Sequence, residues 1–107
     1  TKDISLDDPW KQAYKRQMEI YQWLLRRKGF DVAETGYFLF VNGRTDLDAL
    51  NWRLEFRPFV IAYDGDDTWV EQAVADAHAC LCGGAIPEAS PECEWCAYRE
   101  AAQLSAL

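Results

Sequence analysis

The sequence predicts an α+β fold with a small mixed β-sheet flanked by helices. Three observations predict it. Residues 10 to 28 carry apolar side chains at helical spacing. Two later stretches, 35 to 41 and 52 to 63, are short and rich in aromatic and β-branched residues, as strands are. A third pattern, Thr68-x-x-Glu71 ahead of Val70, Ala73, Val74 and Ala77, returns to helical spacing. At 107 residues, half of them apolar, the chain suits one small domain with a core. The folded part is expected over 8 to 104, with 1 to 7 a polar trailing segment.

Asp8-Pro9 is a good helix start: Asp caps, and Pro in the first turn loses no donor the helix needs. At about 100° per residue, Trp10, Ala13, Tyr14, Met18, Ile20, Tyr21, Trp23, Leu24 and Leu25 fall on one arc. Lys11, Gln12, Lys15, Glu19, Gln22 and Arg26 fill the other. Gln17 falls within the apolar arc, one turn before Tyr21. An amide buried there needs partners, since an unpaired one costs about 1–3 kcal/mol. Either it bonds backbone at a crossing point, or it is presented to something polar that the helix covers. Gly29 is expected to end the helix.

Thr35-Gly36-Tyr37-Phe38-Leu39-Phe40-Val41 reads as a central strand covered on both faces. Asn42-Gly43 signals a turn. A polar loop with Asp46 and Asp48 follows, a solvated loop rather than a metal site. From 52 to 57 the alternation puts Trp52, Leu54 and Phe56 inward and Arg53, Glu55 and Arg57 outward. Pro58 marks a bend or an edge before Phe59 to Tyr63 continue the strand. Asp64-Gly65-Asp66-Asp67 is a turn. The second helix carries Val70, Ala73, Val74, Ala77, Cys80 and Leu81 as its apolar stripe and stops at Gly83-Gly84. His78 lies off the stripe with no Ser or Cys partner at readable spacing. An irregular loop, 86 to 91, leads to a last short helix starting at Glu92 or Glu94.

The formal net charge of −7 argues against a general nucleic-acid-binding surface. Six of the eleven basic residues nevertheless lie on the first helix: Lys11, Lys15, Arg16, Arg26, Arg27 and Lys28. No apolar run approaches the roughly 20 residues that span a bilayer, so no membrane partner is expected. The four cysteines stand as Cys80-x-Cys82 and Cys93-x-x-Cys96. In a chain with a real core, that spacing suits reduced thiols or metal ligands in a cytoplasm better than a disulfide framework. Cys93-x-x-Cys96 is half of a zinc or iron–sulfur site, and Cys80 and Cys82 could supply the other half, although i and i+2 on a helix point about 200° apart. Unligated thiols, zinc and iron–sulfur all stay open.

Gln17-x-x-x-Tyr21, preceded by Tyr14-Lys15-Arg16 and followed by Leu24-Leu25, resembles the Q-x-x-x-Y helix of RecB-like nucleases in the PD-(D/E)XK superfamily. Ile86-Pro87-x-x-Ser90-Pro91-x-Cys93-x-x-Cys96-x-Tyr98-Arg99 is similar to the C-terminal ending of the same nucleases. Together the two pieces span residues 10 to 98. The resemblance implies the C-terminal part of a restriction-endonuclease-like core. It implies that Gln17 and Tyr21 support a Mg²⁺- or Mn²⁺-dependent DNA nuclease site, with Lys15 and Arg16 near phosphate. The family's catalytic Asp and (D/E)-x-K stand on strands before this helix, and residues 1 to 9 hold no such motif. The chain is therefore expected to be a non-catalytic piece of a larger protein that hides its open edge by dimerising. Some members carry an iron–sulfur cluster, with three cysteines near the C-terminus where this chain has Cys93 and Cys96. The alternative function is a cysteine-rich, metal-holding module that contacts a protein partner and has no nuclease activity.

Overall fold

The computed structural model describes residues 5–49 and 51–106. The chain divides into two compact units, Thr1–Gln72 and Ala73–Leu107. A 3-10 turn, Pro9–Lys11, runs into helix α1, Gln12–Arg27. Strands β1, Thr35–Gly43, and β2, Phe56–Asp64, follow. Helix α2, Val70–Cys82, begins at the end of the first unit, and helix α3, Glu94–Ser105, lies in the second. The fold is α+β, as expected, but the sheet is not mixed: it is one antiparallel pair. No helix among the described residues is long and apolar enough to cross a membrane.

The hairpin keeps one register from Thr35↔Asp64 to Gly43↔Phe56. Asn42-Gly43 therefore belongs to β1 and is not the turn. The ladder is prolonged past it, because the Arg44 N–H bonds the Glu55 carbonyl at 2.8 Å. The Arg44 guanidinium also bridges Asp46 and Glu55. The chain reverses further out, where Asn51 and Trp52 take left-handed conformations, φ 43° and 59°. Asn tolerates that region; a bulky Trp does so only under strain. Trp52 is 98% exposed. The expected inward row of Trp52, Leu54 and Phe56 is thus overturned. β2 starts only at Phe56, whose side chain is exposed and in step with Pro58, Val60 and Ala62. Arg57, Phe59, Ile61 and Tyr63 are the half-buried row.

That row pairs with Gly36, Phe38 and Phe40 of β1, and α1 lies against it. Phe40 meets the Tyr14 ring edge at 6.3 Å, and Phe38 meets Tyr63 at 6.0 Å. Met18 lies directly over Gly36, so that a Cβ there would have to displace the Met18 thioether. The other face of the hairpin is bare. Tyr37 is 69% and Val60 66% exposed, with Leu39 and Val41 alongside. Within the first unit β1 is therefore not a strand covered on both sides: one face meets α1 and the other is exposed.

The larger surprise is which side of α1 packs. The buried side chains are Lys11, Glu19 and Gln22, with Gln12, Lys15 and Arg26 half-buried. These six are the whole polar arc. Of the apolar arc, Trp10, Tyr14, Tyr21, Leu24 and Leu25 stand exposed, while Met18, Ile20 and Trp23 are half-buried. The reason is the backbone that α1 covers. Loop 31–34 and turn 64–67 bring several carbonyl and N–H groups under the helix, and only polar side chains can satisfy them. Glu19 accepts from the Asp66 N–H at 2.7 Å, the Tyr63 hydroxyl at 3.0 Å and the Trp69 indole at 3.0 Å. Gln22 donates its amide to the carbonyls of Ala33 and Glu34. Arg26 pairs with Asp67 at 2.7 Å and donates to the Val32 carbonyl. Apolar packing is added around this network by Met18 and by Val70, which is 1% exposed.

Two local start signals act differently from expectation. The Asp8 side chain makes no cap hydrogen bond to the helix; it pairs with Lys11 at 2.9 Å. Thr68 and Glu71 do not close a capping box. The Thr68 hydroxyl and N–H both go to Asp66, and Glu71 pairs with Arg27 at 3.1 Å. Gly29, at φ 91°, ends α1 as predicted, in a conformation that glycine adopts without a Cβ penalty.

Candidate functional site

Gln17 and Tyr21 sit one turn apart on the uncovered side of α1. The Gln17 amide donates to the Tyr21 hydroxyl at 2.9 Å. Both side chains are exposed, so the expectation of a buried Gln17 is overturned: the arc it shares is apolar but open. The pair lines a groove of about 480 Å³ with Ala13, Tyr14, Arg16 and Ile20. A Gln that spends its N–H on Tyr21 keeps its carbonyl oxygen free to accept, and the Tyr hydroxyl still has a proton to donate. The groove therefore offers an amide acceptor, the second amide N–H and the phenol O–H as donors and, in Arg16, an exposed cation.

Lys15 is not part of that set. Its ammonium lies over the Tyr63 ring at 5.5 Å and 3.9 Å from Asp7, on the packed side of the helix. Burial comes first, and the hydrogen bond to Glu19 second, in pushing the Tyr63 phenol above its ordinary pKa. Arg57 joins a second cleft with Arg44, Asp46 and Phe59. Asp46 is no free metal ligand, because both its oxygens take Arg44 donors, and those bonds hold its carboxyl below the usual range.

In the second unit the cysteines behave as two unlike pairs. Cys93 is the N-cap of α3; its sulfur accepts from the Cys96 N–H at 3.3 Å and is in hydrogen-bond contact with the Cys96 sulfur at 3.0 Å. Those hydrogen bonds, the thiol's first, lower the Cys93 pKa. The same thiol bond, aided by burial, raises that of Cys96. Cys80 and Cys82 are exposed on α2 and do not join them. Instead Cys82 lies 3.7 Å from Nε2 of His78, one helical turn away. His78 thus has a cysteine neighbour that the sequence reading overlooked; the i, i+4 spacing was the available signal. Among the described residues no three of His, Cys, Asp and Glu gather where they could hold a metal ion.

Comparison with known proteins adds no relative: no family model matches this chain, and no curated protein or solved structure is significantly similar to it.

Proposed function

We propose that this chain is the C-terminal part of a RecB-like PD-(D/E)XK nuclease, completing a restriction-endonuclease-like core. On this reading it supports Mg²⁺- or Mn²⁺-dependent DNA hydrolysis in the intact protein and does not cut by itself. The observation that carries the reading is the Gln17–Tyr21 hydrogen bond beside Arg16, on an exposed, grooved helix face. An amide and a phenol held together next to a guanidinium suit the edge of an anionic, phosphate-bearing centre. The bare apolar arc around them suits strands that lie outside this chain and carry the acidic residues. The described residues do not fit the metal on their own, since no three potential ligands converge. When bound by such strands, the ion would supply the positive charge that phosphodiester hydrolysis needs. By itself, with an open sheet face and two open sheet edges, the chain self-associates as a dimer.

The test is cleavage of labelled DNA by the full-length gene product with Mg²⁺ or Mn²⁺. Gln17→Ala and Tyr21→Phe are expected to slow cleavage by about ten- to a hundredfold, the usual effect of removing a support around a metal centre. A full-length product that lacks an Asp and a (D/E)-x-K ahead of α1, or that leaves DNA intact, overturns the proposal. One observation favours a second reading, the metal-holding interaction module: the Cys93 and Cys96 sulfurs lie 3.0 Å apart and could share one ion. Stoichiometric zinc or iron in a protein without cleavage activity would support it.

A further inference from the structure

Outside the Gln17 groove, the densest chemistry is the pair of thiols at the start of α3. We propose that Cys93 and Cys96 form a redox dithiol, which a small disulfide oxidises to an intramolecular disulfide with Cys93 as the attacking sulfur. The inference does not depend on the nuclease reading.

Geometry carries it. The two sulfurs are already 3.0 Å apart, so closing to the roughly 2.05 Å of a disulfide asks for a movement of about 1 Å. Both residues belong to one turn, Cys93 as N-cap and Cys96 three residues on, held by the Ala97 N–H to Cys93 carbonyl bond at 3.1 Å. The Cys96 N–H points at the Cys93 sulfur, which sits at the N-cap of α3, and both favour negative charge on that sulfur. Both side chains are half-buried, so a small reagent still reaches them. The other two cysteines make the contrast. Cys80 and Cys82 are more exposed but stand about 200° apart around α2, which no side-chain rotation bridges within a regular helix.

The exchange balances as follows. The Cys93 thiolate, its proton given to solvent, attacks one sulfur of the oxidant RSSR. This forms a mixed disulfide on Cys93 and releases RS⁻. Cys96 then loses its proton, and its sulfur attacks that of Cys93, forming the internal bond and releasing a second RS⁻. Both leaving thiolates take up the two protons. Two thiols and one RSSR become one protein disulfide and two RSH, with two electrons passing to the oxidant.

The experiment uses the full-length protein, assayed first for zinc and iron, then reduced, treated with chelator and exposed to oxidised glutathione. Alkylation and peptide mass spectrometry follow at timed points. The expected result is that the Cys93–Cys96 peptide loses two hydrogens and keeps no glutathione. It should do so on the order of tenfold faster than Cys80 or Cys82 gains an adduct, since a close partner resolves the mixed disulfide. Cys96→Ser should trap glutathione on Cys93. A wild-type pair that stays reduced, or that keeps a glutathione adduct without resolving it, overturns the proposal. So does bound metal that survives the chelator and shields both sulfurs, which would assign them to the interaction-module reading instead.

Discussion

The two sides of α1 are opposites. One is polar and packed: Glu19, Gln22 and Arg26 together bond three main-chain carbonyls of residues 32–34, a turn N–H, a phenol, an indole and a carboxylate. The other is apolar and largely open, with Trp10 62% and Tyr21 55% exposed and only its border residues, Tyr14 and Met18, reaching the sheet. An amphipathic helix usually turns its apolar stripe to the core. Here the loop 31–34 and the turn 64–67 beneath it offer backbone groups that the ladder does not pair, and a polar stripe satisfies them where leucines could not. The lesson is that a strong apolar arc says a helix has a greasy side to cover, and says nothing about which neighbour covers it.

The contrast is most easily broken at Glu19. Glu19→Ala strands three donors at once, and each unmet buried group costs about 1–3 kcal/mol. A loss of about 3 kcal/mol in unfolding free energy is expected by urea titration, with partial rehydration limiting the sum. Gly65→Ala comes next. A Cβ there would overlap the Gln22 side-chain oxygen, whose amide is pinned to two carbonyls and cannot swing aside freely. We expect about 1–3 kcal/mol, as for overpacking elsewhere, and backbone hydrogen exchange at 31–34 should speed up. Alkaline pH sharpens the same point more gently. The folded Tyr63 holds its proton more tightly than the unfolded phenol, so its contribution is whole below about pH 10. It is lost as pH rises through the higher folded value. Tyr63→Phe should flatten that decline. The smallest effect is expected on the bare side. Leu24→Ser with Leu25→Ser should change monomer stability by no more than about 0.5 kcal/mol. It should nonetheless reduce self-association in sedimentation velocity; a large destabilisation would mean the apolar side is packed after all.

Much of the fold was legible. The helical period over 10 to 28, the aromatic and β-branched run from Thr35, the 58 to 63 strand, the break at Gly83 and the final helix all stand where the sequence places them. Faces and turns were harder to read. Period tells which residues share a face, but burial depends on what the face meets: α1 packs mainly by its polar arc, and from 52 to 57 Trp52, Leu54 and Phe56 stay exposed beside Arg53 and Glu55 while Arg57 is half-buried. Asn42-Gly43 is a strong local turn signal, overruled by Arg44, whose guanidinium ties together two carboxylates and prolongs the ladder. Of the candidate site, the i, i+4 spacing of Gln17 and Tyr21 and the C-x-x-C spacing correctly bring their side chains together. The departure of Lys15 to the Tyr63 ring was not readable, because a lysine can reach either border of its helix.

The far end of the hairpin has a practical use. Trp52 stands clear of everything at a left-handed bend, flanked by residues without regular structure, the kind of site a protease with aromatic specificity cuts first. A single nick after Trp52 would leave nine paired positions joining the two fragments. The molecule therefore lends itself to being made as two separate peptides, ending and beginning at that bend, that find each other by zipping one strand along the other.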